Sequence, residues 1–207
     1  MVEFAICISL FLLILFAIID FGRLGYNWVV AEKGMQRAVR IAAVRPPICP
    51  DVPLFHRRAN PNESFYPAGT LCRSVGGLCE VVNRQCTLNA PDGSRPEAAT
   101  AANEIWAAVE NLLPQGSTRA NVLIRYEYDQ RLGFLGGPYV PLITAELVGP
   151  SDGSDGFNDL LFTFVTPLSA LAANAGDNDV SDIPGTIPFP GISVSLPAED
   201  MNLGSRG

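Results

Sequence analysis

The sequence predicts an α+β protein: a long N-terminal helix, apolar at first and amphipathic further on, carrying a globular head with a second helix and an antiparallel sheet. Three observations predict it. An uncharged apolar run occupies residues 4–19, and no proline interrupts the chain before Pro46. A capped, alanine-rich segment begins near residue 94. From Val122 onward the apolar residues recur at every second position.

The apolar run reads Phe-Ala-Ile-Cys-Ile-Ser-Leu-Phe-Leu-Leu-Ile-Leu-Phe-Ala-Ile-Ile. As a helix it is roughly 24 Å long, somewhat short for the ~20 residues of a membrane span. A cleaved secretory signal needs a basic stretch before the run and a small-residue cleavage site after it, and neither is present. The helical pattern continues instead to about Val44. Trp28, Ala31, Met35, Ala38 and Ala42 form one stripe, which should bury against the head. Lys33, Gln36, Arg37 and Arg40 fall on the other side and should face out. Asp20 and Arg23, three apart, are placed to pair on the helix surface or to act in assembly. A two-part organisation follows, with residues 1–45 as a membrane or assembly helix and residues 46–207 as the head.

Charge divides the same way. Residues 1–45 carry Glu3, Asp20 and Glu32 against Arg23, Lys33, Arg37, Arg40 and Arg45, a balance of +2 that leaves −9 for the remainder of a net −7. So acidic a head argues against nucleic acid, whose phosphates call for clustered lysine and arginine.

Glu3 is out of place in an apolar helix, because a carboxylate in a hydrophobic setting is costly unless paired. A neighbouring copy shifted along a common axis would bring its α-ammonium to this carboxylate. The plainer reading is that Glu3 snorkels to the membrane surface.

Residues 46–93 are broken by prolines and glycines, and hold Cys49, Cys72, Cys79 and Cys86. Four cysteines in an irregular stretch read as two disulfides with three possible connectivities, which puts the head in an oxidising compartment. Zinc is the rival, although C-x2-C pairs are absent. Cys7 lies in the apolar run as a small hydrophobe. His56, the only histidine, sits beside Arg57 and Arg58 and is expected at the surface. Asn62-Glu63-Ser64 fits the short N-glycosylation pattern.

Ser94 and Glu97 form a capping box with Pro96 in the first turn. Ala98, Ala101, Ala102, Ile105, Ala108, Val109 and Leu112 then mark the buried face of the second helix, which Pro114 and Gly116 stop. Strands are predicted over residues 122–129, 139–148, 160–166 and 191–196. Pro141 should push the second of them to an edge or a bulge, and the third is apolar enough to be central.

With one histidine, neither a catalytic triad nor a zinc-protease pattern has support, no phosphate-binding loop occurs, and neither an enzyme nor a cofactor is expected. Asp152, Ser154, Asp155, Asn158 and Asp159 offer oxygen donors suited to calcium, without the spacing of an EF-hand. A glycine- and aspartate-rich turn is the commoner reason for such a run.

The run Val2-Glu3-Phe4-Ala5, the leucine- and isoleucine-rich stretch, Ile19-Asp20-Phe21-Gly22-Arg23, and Gln36-Arg37-Ala38-Val39-Arg40-Ile41-Ala42-Ala43-Val44 closely resemble the N-terminus of TadE-like pilins. These are the tight-adherence branch of the type IV pilus superfamily. The resemblance implies a pilin-type helix, removal of a short basic leader by a prepilin peptidase, residence in the inner membrane, and assembly with copies of itself into a surface filament. It singles out Glu3, Phe4, Asp20 and Arg23 for assembly. The superfamily glutamate commonly stands fifth in the mature chain and here stands third. The basic flank beyond residue 20 would lie in the cytoplasm by the positive-inside rule. The paired cysteines and the removed leader favour the opposite topology. A monomeric, membrane-tethered protein whose head binds a ligand such as a glycan is the alternative from a different class.

Overall fold

The computed structural model describes residues 2–62, 65–149, 160–165, 186–199 and 201, with the side chains of residues 2, 3, 5 and 6 outside that description. Helix α1 runs unbroken over Val2–Ala43, about 63 Å, and ends just before Pro46 and Pro47. Helix α2 spans Pro96–Val109.

Among the described residues there are six strands, in chain order β1 (Arg84–Thr87), β2 (Val122–Glu127), β3 (Leu142–Leu147), β4 (Leu161–Thr163), β5 (Thr186–Pro188) and β6 (Ile192–Pro197). Four of them make an antiparallel sheet in the order β1-β2-β3-β6, while β4 and β5 form a separate ribbon.

The register explains the core. Ile124 lies opposite Cys86 on one side and Ala145 on the other, and Ala145 lies opposite Val194. Side chains two apart share a face, so Val122, Ile124, Tyr126, Ile143, Ala145, Leu147 and Ile192 line one surface, and all are buried. The C-terminal half of α1 packs on that surface beside α2, giving a helix layer on a sheet layer. The other face carries polar pairs, Arg125 with Glu146 at 3.1 Å and the Thr144 hydroxyl with that of Ser195 at 2.8 Å, beside a buried Leu123.

Ala31, Met35, Ala38 and Ala42 of the predicted stripe are buried, Trp28 at its start is exposed instead, and Lys33, Arg37 and Arg40 face outward. Gly34 lets α1 come close to the end of α2, since a Cβ there would stand 3.3 Å from Leu112 Cβ. The expected face of α2 is buried at Ala98, Ala101, Ala102, Ile105 and Val109 and half-buried at Ala108 and Leu112.

Several local expectations are corrected. Ser94 does not cap α2; Arg95 holds the cap position without a side-chain bond. The Ser94 amide and hydroxyl both donate to Asp92, at 2.9 and 2.6 Å, because a charged acceptor two residues back outcompetes the helix end. Strand β3 is central, with Pro141 just ahead of it, where its missing N–H costs the ladder nothing and its carbonyl accepts from Ala198 at 2.8 Å. The third predicted strand, β4, lies outside the main sheet. Strand β1, unforeseen in the irregular stretch, is brought to the sheet edge by the Cys49–Cys86 disulfide.

The second disulfide joins Cys72 and Cys79. His56 is buried rather than solvated: its Nε2 accepts from the Val140 amide at 3.3 Å, and the Tyr139 ring lies edge-on at 5.0 Å. Burial lowers its pKa. Gly133 (φ +80°) is required here, because a Cβ at that position would fall 2.0 Å from His56 Nε2.

Candidate functional site

The feature that stands apart from the folded head is the first half of α1. Phe4, Phe11 and Ile18, seven residues apart, are 71, 64 and 65 % exposed. Leu10, Ile14 and Phe21 are exposed as well, so the arm shows large apolar side chains around much of its circumference. A soluble protein rarely leaves so much contiguous apolar surface uncovered. One narrower seam is partly covered: Ser9, Leu13, Phe16, Leu24 and Asn27 are half-buried and Asp20 fully so, at three- and four-residue steps that continue into buried Ala31. The helix is long and apolar enough to cross a membrane.

Asp20 marks the neck, where the arm meets the head. Its Oδ1 accepts from Arg23 Nη1 at 3.2 Å and from the Val165 amide at 3.4 Å. The Arg23 guanidinium carbon lies 5.5 Å from the centre of the Phe162 ring, and Phe164 touches both Phe162 and Phe21 edge-on at 5.7 and 6.0 Å. A short segment of the head is thereby fastened to the helix by the Val165 amide bond to Asp20, the Arg23–Phe162 contact and an aromatic cluster. Nothing in the sequence pointed to Phe162 and Phe164 as the cover of Asp20. They are about 140 residues away and belong to a strand predicted for the sheet.

The four assembly candidates thus occupy two places. Asp20 and Arg23 meet each other at the neck. Glu3 and Phe4 lie about 25 Å further along the same helix, at 1.5 Å per residue. Phe4 projects outward, and the Glu3 side chain lies outside the described residues. The calcium candidates Asp152, Ser154, Asp155, Asn158 and Asp159 also lie outside them, as do Glu63 and Ser64 of the glycosylation pattern.

In the head, two buried phenols titrate far above their ordinary value. Burial pushes the Tyr126 phenol up to about 12, and its oxygen accepts from the Ile48 amide at 3.1 Å. Burial likewise raises Tyr139 to about 12, while its hydroxyl donates to the Val82 carbonyl at 2.8 Å. Among the described residues one group has donors close enough together for a metal ion, His56 with Cys72 and Cys79, and its cysteines are joined in a disulfide.

Residues 1–40 match the family model of TadE-like proteins. The N-terminal segment is TadE-like. The match covers the apolar arm, the neck pair and most of the stem, and stops before the head. Neither curated proteins nor solved structures give a match to the chain. The resemblance drawn from Glu3, Asp20, Arg23 and the stem motif therefore rests on the TadE-like helix, and the head enters on its own physical chemistry.

Proposed function

We propose that the chain is a structural, pilin-like subunit of an extracellular Tad-type filament, which polymerises through α1 and serves surface adhesion. The TadE-like match supports a pilus-associated, membrane-anchored protein. One observation carries the finer reading: a single helix is apolar and uncovered along its first half, yet locked into a folded head along its second. A lipid bilayer satisfies such an arm before assembly, and the arms of neighbouring copies satisfy it afterwards. In this reading Glu3 pairs with the terminal ammonium of an adjacent copy, which sets the axial step between subunits. Phe4 packs in the same contact. A prepilin peptidase and the pilus assembly machinery act on the chain in the inner membrane, and the head faces outward. No chemistry is required of the head beyond display.

The test replaces Glu3 with Ala and inspects sheared cells by electron microscopy, with the native chain alongside. Loss of fibres that contain this chain is expected for the variant. Undiminished fibres would remove Glu3 from assembly. Native chain that stays in the membrane fraction after shearing, and extracts as a monomer in detergent, would favour a tethered binding protein instead.

A further inference from the structure

We propose that His56 is an acid-sensitive latch: when its ring takes up a proton, the small lobe built around the Cys72–Cys79 bond undocks from the main core of the head. The proposal does not depend on whether the chain polymerises. Among the described residues the hydrophobic core divides into two clusters. The larger joins the stem to the sheet, and the smaller gathers Cys72, Leu78, Cys79 and Leu135. Tyr128 packs against both. His56 stands at this junction, 3 % exposed, with the Tyr128 ring edge-on at 6.3 Å and the Tyr139 ring of the larger cluster edge-on at 5.0 Å.

The contacts around the ring suit its neutral form. Nε2 accepts from the Val140 amide, just ahead of β3, so the ring proton is on Nδ1. Nδ1 is enclosed and has no acceptor among the described residues. A second proton has to go on Nε2, which sets two N–H groups against each other in place of a hydrogen bond. The imidazolium then has an acceptor on neither nitrogen, and a buried charge in that state is costly. Gly133 keeps the ring from turning toward another partner, since it lies so close that a Cβ there would stand 2.0 Å from Nε2. The surrounding charges do not favour a cation either. Arg57 and Arg58 line the same groove as His56, against one carboxylate, Glu80. The other titratable neighbours are the phenols of Tyr128 and Tyr139; Asp129 acts on the first, and Glu80 and Arg84 on the second.

A ring that leaves this cage loosens the lobe. Gly133, which packs on the ring, also holds the Cys72 amide on its carbonyl at 3.3 Å. The His56 amide donates to the Gly137 carbonyl at 2.9 Å, and the His56 carbonyl accepts from the Gly136 amide at 3.0 Å, next to Leu135 of the smaller cluster. A protonated ring that swings to water therefore pulls on both backbone seams that close the lobe. Burial keeps the pKa of the docked ring below its ordinary 6.5. The undocked ring thus binds a proton more readily than the docked one. The contribution to docking is complete above about pH 6.5 and is lost as pH falls toward the docked value, with the open fraction rising by up to about tenfold per pH unit.

The test uses the full chain in detergent, in which His56 is the only histidine. Its imidazole C2 proton, followed by NMR, should titrate with a midpoint below 6.5. Opening is read as phosphine reduction of Cys72–Cys79, whose cysteines are buried in the closed lobe, relative to that of Cys49–Cys86, by alkylation and mass spectrometry. Between about pH 7.5 and about pH 5.5 this ratio should rise at least about threefold in the native chain. In His56→Gln it should stay flat, because glutamine takes up no proton. Gly133→Ala should expel the ring, so that His56 titrates near 6.5 and the lobe is reduced quickly at both pH values. A native ratio that does not change with pH, an equal rise in His56→Gln, or a native midpoint at or above 6.5 would each overturn the latch. Should neither variant fold, the native chain decides alone: the low midpoint and the rise must both be present, and the lack of either sinks the proposal.

Discussion

Arg95 Nε stands 2.7 Å from Asp92 Oδ2, and the same guanidinium reaches back to the carbonyls of Cys49 at 3.0 Å and Val52 at 3.3 Å. One carboxylate thus fixes the entry of α2 and, through Arg95, the irregular chain that leaves α1. Its hydrogen bonds from Ser94 and then Arg95 lower the Asp92 pKa from 3.8 to about 2. A carboxyl depressed on folding stabilises the fold above its unfolded pKa, and that contribution is lost as pH falls through the folded value. The Tm of the head in detergent should therefore fall as pH is lowered from about 4 to about 2. Asp92→Asn should lower the Tm at neutral pH and flatten the profile in that window; an unchanged profile would refute the role given to Asp92.

Removal of the two disulfides should not be equivalent. Cys49–Cys86 closes 37 residues and Cys72–Cys79 only 7. Loop-closure entropy assigns roughly 4 kcal/mol to the first and roughly 2.5 kcal/mol to the second. Paired alanine variants, compared by denaturant unfolding of the head, should rank in that order. The first should also release β1, visible as faster amide exchange over Arg84–Thr87.

At the neck, Asp20→Ala should destabilise the attachment of residues 160–165 by about 1–3 kcal/mol, as expected for loss of charge-assisted bonds to a buried acceptor. Arg23→Ala should cost less, because Arg23 is partly exposed and the Val165 amide remains with Asp20. Limited proteolysis at the neck would report both. Equal protection in all three chains would show that the pair is ornamental.

Three glycines of α1 should separate by location. Nothing lies within 4 Å of a Cβ at Gly22 or Gly25, so alanine there should raise helix stability by up to about 1 kcal/mol each. At Gly34 the new methyl meets Leu112 Cβ at 3.3 Å, and Gly34→Val should wedge α1 from the end of α2 by overpacking. Thermal melts of the isolated variants in detergent would show opposite signs.

Periodicity made the helices and the core strands legible. The stripe through Ala31, Met35 and Ala38, the buried face of α2, and the alternation of Val122, Ile124 and Tyr126 are local patterns with one physical meaning. What was not legible depends on contacts distant in sequence. His56 was misplaced because its arginine neighbours face solvent or bond elsewhere while its own ring turns under Tyr139. Strand β1 was hidden because a disulfide, rather than its own composition, holds Arg84–Thr87 at the sheet edge. The apolar arm and its neck pair could be read from residues 1–45; the aromatic cover of Asp20 could not.

The Cys49–Cys86 bond has a mechanical meaning. Residue 49 lies six positions beyond the end of α1, and residue 86 lies in the outermost strand of the sheet. A pull along α1 that overcomes the packing of its C-terminal half therefore still meets a covalent link to the head. From there it spreads across the hydrogen bonds that β1 makes with β2. The short tether between helix and bond acts as a shock mount: little slack, and a covalent load path in parallel with the packing of the stem.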